Sequence, residues 1–150
     1  MTKDEENAIV YEYERIGRDK FRRLCVGRNL HYFDNPIITE HYDGIVYHKG
    51  NPYVVEIKDR DTQYETCGTY LLENDKYVNL SKAIEETGAN GAYYVNFFGD
   101  TAYVFDATAK EIADTPIEWR WCKEHTAYGD KRVWKQVKMI DKELAHKFFI

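Results

Sequence analysis

Residues 41–58, HYDGIVYHKGNPYVVEIK, contain the pattern that decides the fold. Residues 41–47 alternate in polarity and residues 52–58 form a β-branched run, with Lys49-Gly50-Asn51-Pro52 between them. Alternating and β-branched runs favour strands, and a cluster of Gly, Asn and Pro favours a turn. The stretch therefore predicts a β-hairpin that turns over residues 49–52.

Three charged residues interrupt these two apolar strands: Asp43, Glu56 and Lys58. A charge inside a strand is costly to bury unless it is paired or binds an ion. Glu56 and Lys58 are two residues apart and share one face of the strand. A turn over residues 49–52 places Asp43 opposite Lys58 and Ile45 opposite Glu56. The two carboxylates are then diagonal neighbours, about 7–8 Å apart at the backbone.

Two carboxylates and a lysine at one point suit the chemistry of phosphodiester hydrolysis. Carboxylate oxygens and a strand carbonyl such as that of Ile57 are the ligands that Mg²⁺ or Mn²⁺ prefers. A bound ion polarises a phosphate and lowers the pKa of water, and Lys58 would position that water or neutralise developing charge. The simpler alternative is a cross-strand ion pair between Asp43 and Lys58 on a solvent-facing sheet.

The remaining pattern predicts an α/β fold, a mixed β-sheet flanked by helices. Gly17 interrupts the apolar stripe of the first predicted helix, which suggests close approach to a sheet. The other predicted elements come from apolar spacing and turn residues. They are helices over residues 4–25 and 67–88, strands at 92–98 and 101–107 with a Gly99-Asp100 turn, a helix opened by a capping box at 108–111 and closed by Pro116, a strand at 117–121, and at most a short helix in the final DKELAHKFF.

Length and composition indicate one domain spanning residues 1–150. The chain starts without a basic and apolar leader, and no run approaches the roughly 18 apolar residues that span a bilayer. Three cysteines without CxxC spacing favour reduced thiols and a cytoplasmic protein with no membrane partner. The net charge of −5 argues only weakly against nucleic acid, because binding depends on local basic clusters.

The segment from Asp43-Gly44-Ile45-Val46 to Glu56-Ile57-Lys58 resembles the PD-(D/E)XK nuclease superfamily, whose fold is restriction-endonuclease-like. Tyr42 stands where the name-giving motif has Pro. The stretch KYVNLSKAIEETG, which begins at Lys76, is similar to phage- and Bacteroidetes-type members. The resemblance covers residues from about 5 to 107 as the core and leaves 108–150 as a C-terminal extension.

The resemblance implies a Mg²⁺- or Mn²⁺-dependent endonuclease acting on DNA, although these residues do not distinguish DNA from RNA. It implies Asp43, Glu56 and the Ile57 carbonyl as metal ligands, with Lys58 as the third catalytic residue and Glu14 on the first helix as a supporting ligand. Many enzymes of this fold are dimers, so a homodimer is an option. The expected nucleic-acid contacts are the basic residues Arg15, Arg18, Lys76, Lys131 and Arg132.

Two other classes of function are also compatible with these residues. The superfamily contains inactive members, so the chain could be a nuclease-fold module that binds nucleic acid or a protein partner without cutting. It could also be a structural subunit in which the charged residues form only an ion pair.

Overall fold

The computed structural model describes residues 1–36, 41–60, 69–125 and 128–150. It confirms the predicted α/β class, with a mixed six-stranded sheet, a separate three-stranded sheet and three helices. The strands are β1 (Leu30–Asp34), β2 (Gly44–His48), β3 (Asn51–Arg60), β4 (Thr69–Glu73), β5 (Gly91–Phe98), β6 (Thr101–Asp106), β7 (Ile117–Lys123), β8 (Arg132–Asp141) and β9 (His146–Phe149). The helices are α1 (Lys3–Cys25), α2 (Asn74–Thr87) and α3 (Lys110–Ala113), with a 3₁₀ turn at Lys142–Leu144.

The six-stranded sheet has the order β1-β2-β3-β5-β6-β9, in which β3 and β5 are parallel and the other neighbours antiparallel. Phe21 and Leu24 of α1 pack on one face against Val55 and Val95. The other face is covered by α2 and by the antiparallel sheet β4-β8-β7. The predicted extension is therefore part of both sheets, since it supplies β9 to one and β7 and β8 to the other.

Helix α1 begins with a capping box in which Thr2 and Glu5 bond each other's main chain. Gly17 is buried on the face that meets β3, where an added Cβ would lie 3.3 Å from the Ile57 side chain. The expected close approach to the sheet is confirmed. It brings the α1 side chains Tyr13, Glu14 and Arg18 to the edge of β3.

The β2–β3 hairpin turns over Lys49 and Gly50 only, so the predicted four-residue turn is wrong. Both residues have positive φ, 52° and 79°, as a type I′ turn requires. His48 pairs with Asn51 and Gly44 with Val55, which places Asp43 opposite Glu56 and not opposite Lys58. A two-residue shift keeps every side chain on its predicted face, so the carboxylates still converge.

Two helix predictions are wrong in part. The helix predicted over residues 67–88 is strand β4 followed by α2, while residues 67 and 68 lie outside the described ranges. Tyr70 and Leu71 fit a helical spacing, but pairing with β8 holds them in a strand. The capping box at 108–111 does not form, because the Thr108 hydroxyl donates to Asp106 at 2.6 Å and α3 begins at Lys110.

The C-terminal residues also depart from prediction, because DKELAHKFF forms the 3₁₀ turn and then β9, which pairs with β6. Among the cysteines, Cys25 is buried, Cys122 is partly exposed and Cys67 lies outside the described residues. Burial raises the pKa of the Cys25 thiol to about 11, so this thiol stays protonated and unreactive at neutral pH. Within the described ranges, no helix combines the length and the apolar character needed to cross a membrane.

Gly44, next to Asp43, is the most crowded of the glycines that the structure describes. A Cβ at this position would lie 2.3 Å from the Phe33 carbonyl oxygen and 2.7 Å from the Tyr32 ring. Since a backbone atom cannot move aside cheaply, we expect Gly44→Ala to lower the free energy of unfolding by about 2–3 kcal/mol. Chemical denaturation measures the change. Gly91→Ala is the control, because its Cβ would meet only ordinary contacts from 3.4 Å; equal losses in both variants would contradict the prediction.

Candidate active site

Asp43 lies where β2 separates from β3. Its main-chain N–H donates to Val55, and its Oδ2 accepts a hydrogen bond of 2.7 Å from the Ile57 N–H. The Asp43 carboxylate thus accepts the hydrogen bond that a main-chain carbonyl of β2 would accept if that strand continued. Its Oδ1 accepts a bond of 3.0 Å from Arg18 Nε on α1. Only 6% of Asp43 is exposed, so these bonds hold the carboxylate in one orientation.

Glu56 lies on β3, opposite Asp43, and is 4% exposed. Its Oε1 lies 3.5 Å from Lys76 Nζ and 3.8 Å from Lys58 Nζ. Burial and then the charge of Asp43 raise the pKa of the Glu56 carboxyl, the two lysines oppose the shift, and the resulting pKa is about 7. Three cations, Arg18, Lys58 and Lys76, lie beside the two carboxylates, so the raised pKa of Glu56 comes chiefly from its removal from water.

The Ile57 main chain faces the same point. The N–H and C=O groups of one strand residue point to the same side, so the Ile57 carbonyl is directed toward the edge that β2 has left. Two residues further along, the Asp59 carbonyl on this edge accepts a hydrogen bond from the Tyr13 hydroxyl of α1. The predicted oxygen ligands of Asp43, Glu56 and Ile57 are thereby brought together.

These groups line a cavity of about 200 Å³ between α1, β3, α2 and the three-stranded sheet. Glu14 borders the cavity from α1, largely exposed at its mouth. The pKa of the Glu14 carboxyl is raised, first because neighbouring protein atoms shield it partly from water and then because of the Asp43 charge. Lys76 reaches the cavity from the first turn of α2, and its pKa is raised chiefly by Glu56. Six predicted site residues thus line this cavity: Glu14, Asp43, Glu56, Ile57, Lys58 and Lys76.

The sequence patterns missed a second ion pair in the cavity wall. Lys135 of β8 donates to Glu73, the last residue of β4, at 2.6 Å and to the Glu124 carbonyl at 3.0 Å. His125 also lines the cavity. Lys135 stands in a basic run, but Glu73 falls inside a segment predicted to be helical, so no local signal joins the two residues. Their contact depends on the long-range pairing of β4 with β8.

The other predicted nucleic-acid contacts, Arg15, Arg18, Lys131 and Arg132, do not themselves line the cavity. Arg15 is on the exposed side of α1, paired with Glu12 at 2.5 Å and Asp19 at 2.6 Å. Arg18 acts as the counter-ion of Asp43. Lys131 and Arg132 are exposed at the start of β8, where Lys131 lies 3.3 Å from Glu124.

The oxygen donors at this point fit a hard divalent cation. Glu56 and Asp43 are buried, close and acidic, and neither soft sulfur nor imidazole is needed. Among the described residues, no group of three or more His, Cys, Asp and Glu side chains could hold a metal alone. The protein would thus supply two carboxylates and a main-chain oxygen, which leaves the remaining positions to water and phosphate, as is usual for Mg²⁺.

The solvent-facing ion pair between Asp43 and Lys58 is not the observed arrangement. Both carboxylates are buried, Asp43 pairs with Arg18, and the nearest carboxylate to Lys58 is Glu56. Comparison with known protein families and with curated proteins finds no match for this chain. The geometry of the cavity is therefore the basis on which function is inferred.

Proposed function

We propose that this protein is a Mg²⁺- or Mn²⁺-dependent nuclease of the PD-(D/E)XK type that hydrolyses phosphodiester bonds in DNA. The observation that carries the proposal is the buried Asp43–Glu56 pair at the point where β2 leaves β3, with Lys58 and Lys76 beside it. Glu56 is buried away from water beside a second carboxylate, although Lys58 and Lys76 lie close to it. Here the raised pKa of Glu56 indicates that the arrangement disfavours its own charge in the absence of a ligand.

Asp43, Glu56 and the Ile57 carbonyl would hold the cation, with Glu14 as a supporting carboxylate at the cavity mouth. When bound, the ion supplies positive charge that polarises the scissile phosphate and makes a nearby water more acidic. Arg18 and the Ile57 N–H keep Asp43 in a single orientation, and the buried position of Glu56 excludes bulk water. Preorganisation of this kind lowers the cost of reaching the transition state.

The two lysines have separate roles in the proposal. Lys58 is 25% exposed and lines the cavity, where its ammonium group would orient the attacking water and stabilise the negative charge that develops in the transition state. Lys76 approaches from α2 and is 3.5 Å from Glu56, so it neutralises charge on the phosphoryl oxygens. Neither role requires a histidine or a thiol.

The test is cleavage of supercoiled plasmid, duplex oligonucleotide and single-stranded oligonucleotide with millimolar Mg²⁺ or Mn²⁺, against EDTA. Wild type is expected to cut only with the divalent ion, and Glu56→Gln is expected to lose this activity. Glu85→Gln, an exposed carboxylate on α2, is the matched control and keeps it. Cleavage that persists in EDTA or in Glu56→Gln contradicts the proposal.

The alternative is a nuclease-fold module that binds nucleic acid or a protein partner without cutting. One observation favours it: both oxygens of Asp43 already accept hydrogen bonds from within the protein. The cleavage assay together with a gel-shift experiment separates the two functions. A binding module would shift the DNA in the gel and would yield no cleavage product with either metal.

A further inference from the structure

A two-stranded ribbon, formed by β7 and the first half of β8, carries an unusual surface. Its strands pair from Ile117 with Lys138 to Lys123 with Arg132. Alternate residues share a face. We call the following set the aromatic face: Trp119, Trp121, Lys123, Arg132, Trp134 and Gln136, all of them exposed.

The three tryptophans of the aromatic face are 61%, 53% and 62% exposed, in the order Trp119, Trp121 and Trp134. Indole rings are rarely left in water as a group, and a contiguous exposed aromatic patch indicates a binding surface. Trp121 and Trp134 are cross-strand partners with ring centroids 5.5 Å apart and planes inclined by 53°. They support each other, and the tilt leaves ring surface open to a planar ligand.

Charge on the ribbon is divided between its two sides. Lys123 and Arg132 are the charged members of the aromatic face, which has no acidic residue. Glu118 and Glu124 fall on the opposite side, where Arg120 and Lys131 neutralise them at 2.6 Å and 3.3 Å. In a chain with a net charge of −5, a purely cationic aromatic surface is complementary to a polyanion with planar groups.

The ribbon also forms part of the catalytic cavity. Lys135 and Glu124 project from its opposite side and line the cavity together with Glu56 and Lys58. The aromatic face and the candidate active site are thus two sides of the same two strands. A flexible chain bound on one side can pass around the ribbon edge to the other.

We propose that the aromatic face binds single-stranded nucleic acid, with unpaired bases stacked on Trp119, Trp121 and Trp134 and phosphates held by Lys123 and Arg132. Bases inside a duplex cannot reach such rings, whereas unpaired bases stack on them regardless of sequence. Two cations are also few for a duplex, whose affinity comes mainly from many phosphate contacts. Resting on the proposed nuclease function, this assigns substrates with unpaired nucleotides, such as single strands, flaps or junctions.

The test is binding of a fluorescent oligo-dT strand, measured by anisotropy in EDTA so that no cleavage occurs. Trp121→Ala and Trp134→Ala are each expected to weaken binding about 5-fold or more, the usual effect of losing one stacked base. Trp121→Phe keeps a ring and is expected to retain most of the affinity. Phe149→Ala is the matched control, because Phe149 is 67% exposed on the distant strand β9.

Salt dependence tests the cationic part of the surface. Arg132→Ala and Lys123→Ala are each expected to reduce the slope of log affinity against log salt concentration by about 0.7, as for one phosphate contact on a single strand. Unchanged affinity in both tryptophan variants, or wild-type binding to duplex as tight as to single strands, overturns the proposal. So does a result in which the tryptophan variants alter only self-association in sedimentation, which would assign the face to a second copy or another protein.

The binding assay and the cleavage assay test the two proposals separately. If tryptophan-dependent binding of single strands persists in EDTA but no metal supports cleavage, the nuclease proposal fails and the binding surface stands. If metal-dependent cleavage is unaffected by the tryptophan variants on single-stranded and duplex substrates alike, the binding surface fails and the nuclease stands.

Discussion

Lys58→Met is expected to reduce the rate of metal-dependent cleavage by about 100-fold or more, the size of effect seen when a preorganised charge at a transition state is removed. Methionine is unbranched and one atom shorter than lysine, so it keeps most of the apolar stem and removes the charge and the proton donors. Lys58 lies 3.8 Å from Glu56 and is partly exposed, so the folded structure should tolerate the change. Single-turnover cleavage of a labelled oligonucleotide with excess enzyme measures the chemical step directly.

Two lysine variants serve as comparisons for Lys58→Met. Lys82→Met changes an exposed lysine on α2 and should leave the rate unchanged. Lys76→Met should weaken substrate binding as well as the chemical step, because Lys76 is proposed to contact the phosphate. A Lys58→Met enzyme with wild-type rate would remove Lys58 from its assigned role.

Glu56→Gln is expected to stabilise the metal-free protein by about 1–3 kcal/mol at pH 8, although it should abolish activity. The folded-state pKa of Glu56 is raised to about 7 by burial and by Asp43, so the charged carboxylate is less favourable in the folded than in the unfolded state. The amide has nearly the same shape and carries no charge. Active-site residues that reduce stability in this way are common.

The sign of the pH dependence follows from the raised pKa. Below about pH 4 the carboxyl is protonated in both states, and wild type and Glu56→Gln should have equal stability. As the pH rises toward 7, the unfolded state releases this proton first, so wild type loses stability relative to the variant. Above about pH 7 the difference should be constant. Urea denaturation at a series of pH values in EDTA measures it; a difference that does not change with pH would contradict the assignment.

Asp43→Asn is the contrasting variant and should change stability in the opposite direction. Its carboxylate accepts bonds from Arg18 and from the Ile57 N–H, and an amide would present a donor to one of these donors. Leaving a buried charged partner unsatisfied costs about 1–3 kcal/mol. Stabilisation by Glu56→Gln together with destabilisation by Asp43→Asn would distinguish the roles of two adjacent carboxylates.

Local sequence patterns predicted those parts of the site whose geometry is local. The β-branched run of β3 and the alternation of Glu56 with Ile57 place the carboxylate and Lys58 on one face whatever the tertiary context. The register was off by two residues, because Lys49 adopts a positive φ that is uncommon outside glycine and makes a two-residue turn possible. Because the register differs by an even number of residues, Asp43 and Glu56 still lie on the same face of the sheet, as predicted.

The missed parts of the site depend on contacts between distant segments. Glu73 and Lys135 are 62 residues apart and meet only because β4 pairs with β8. Tyr70 and Leu71 have apolar spacing that suits a helix as well as a strand, and only the partner strand decides between them. The pairing of Arg18 with Asp43 is likewise a long-range contact that no local pattern indicates.

Calorimetric titration of the protein with Mn²⁺ tests most directly whether Asp43 and Glu56 form a divalent-cation site. We predict that wild type binds Mn²⁺ at submillimolar to millimolar concentration, and that Glu56→Gln loses this binding while Glu85→Gln keeps it. Wild-type protein without measurable heat of binding in the millimolar range, or unchanged binding in Glu56→Gln, would contradict the account.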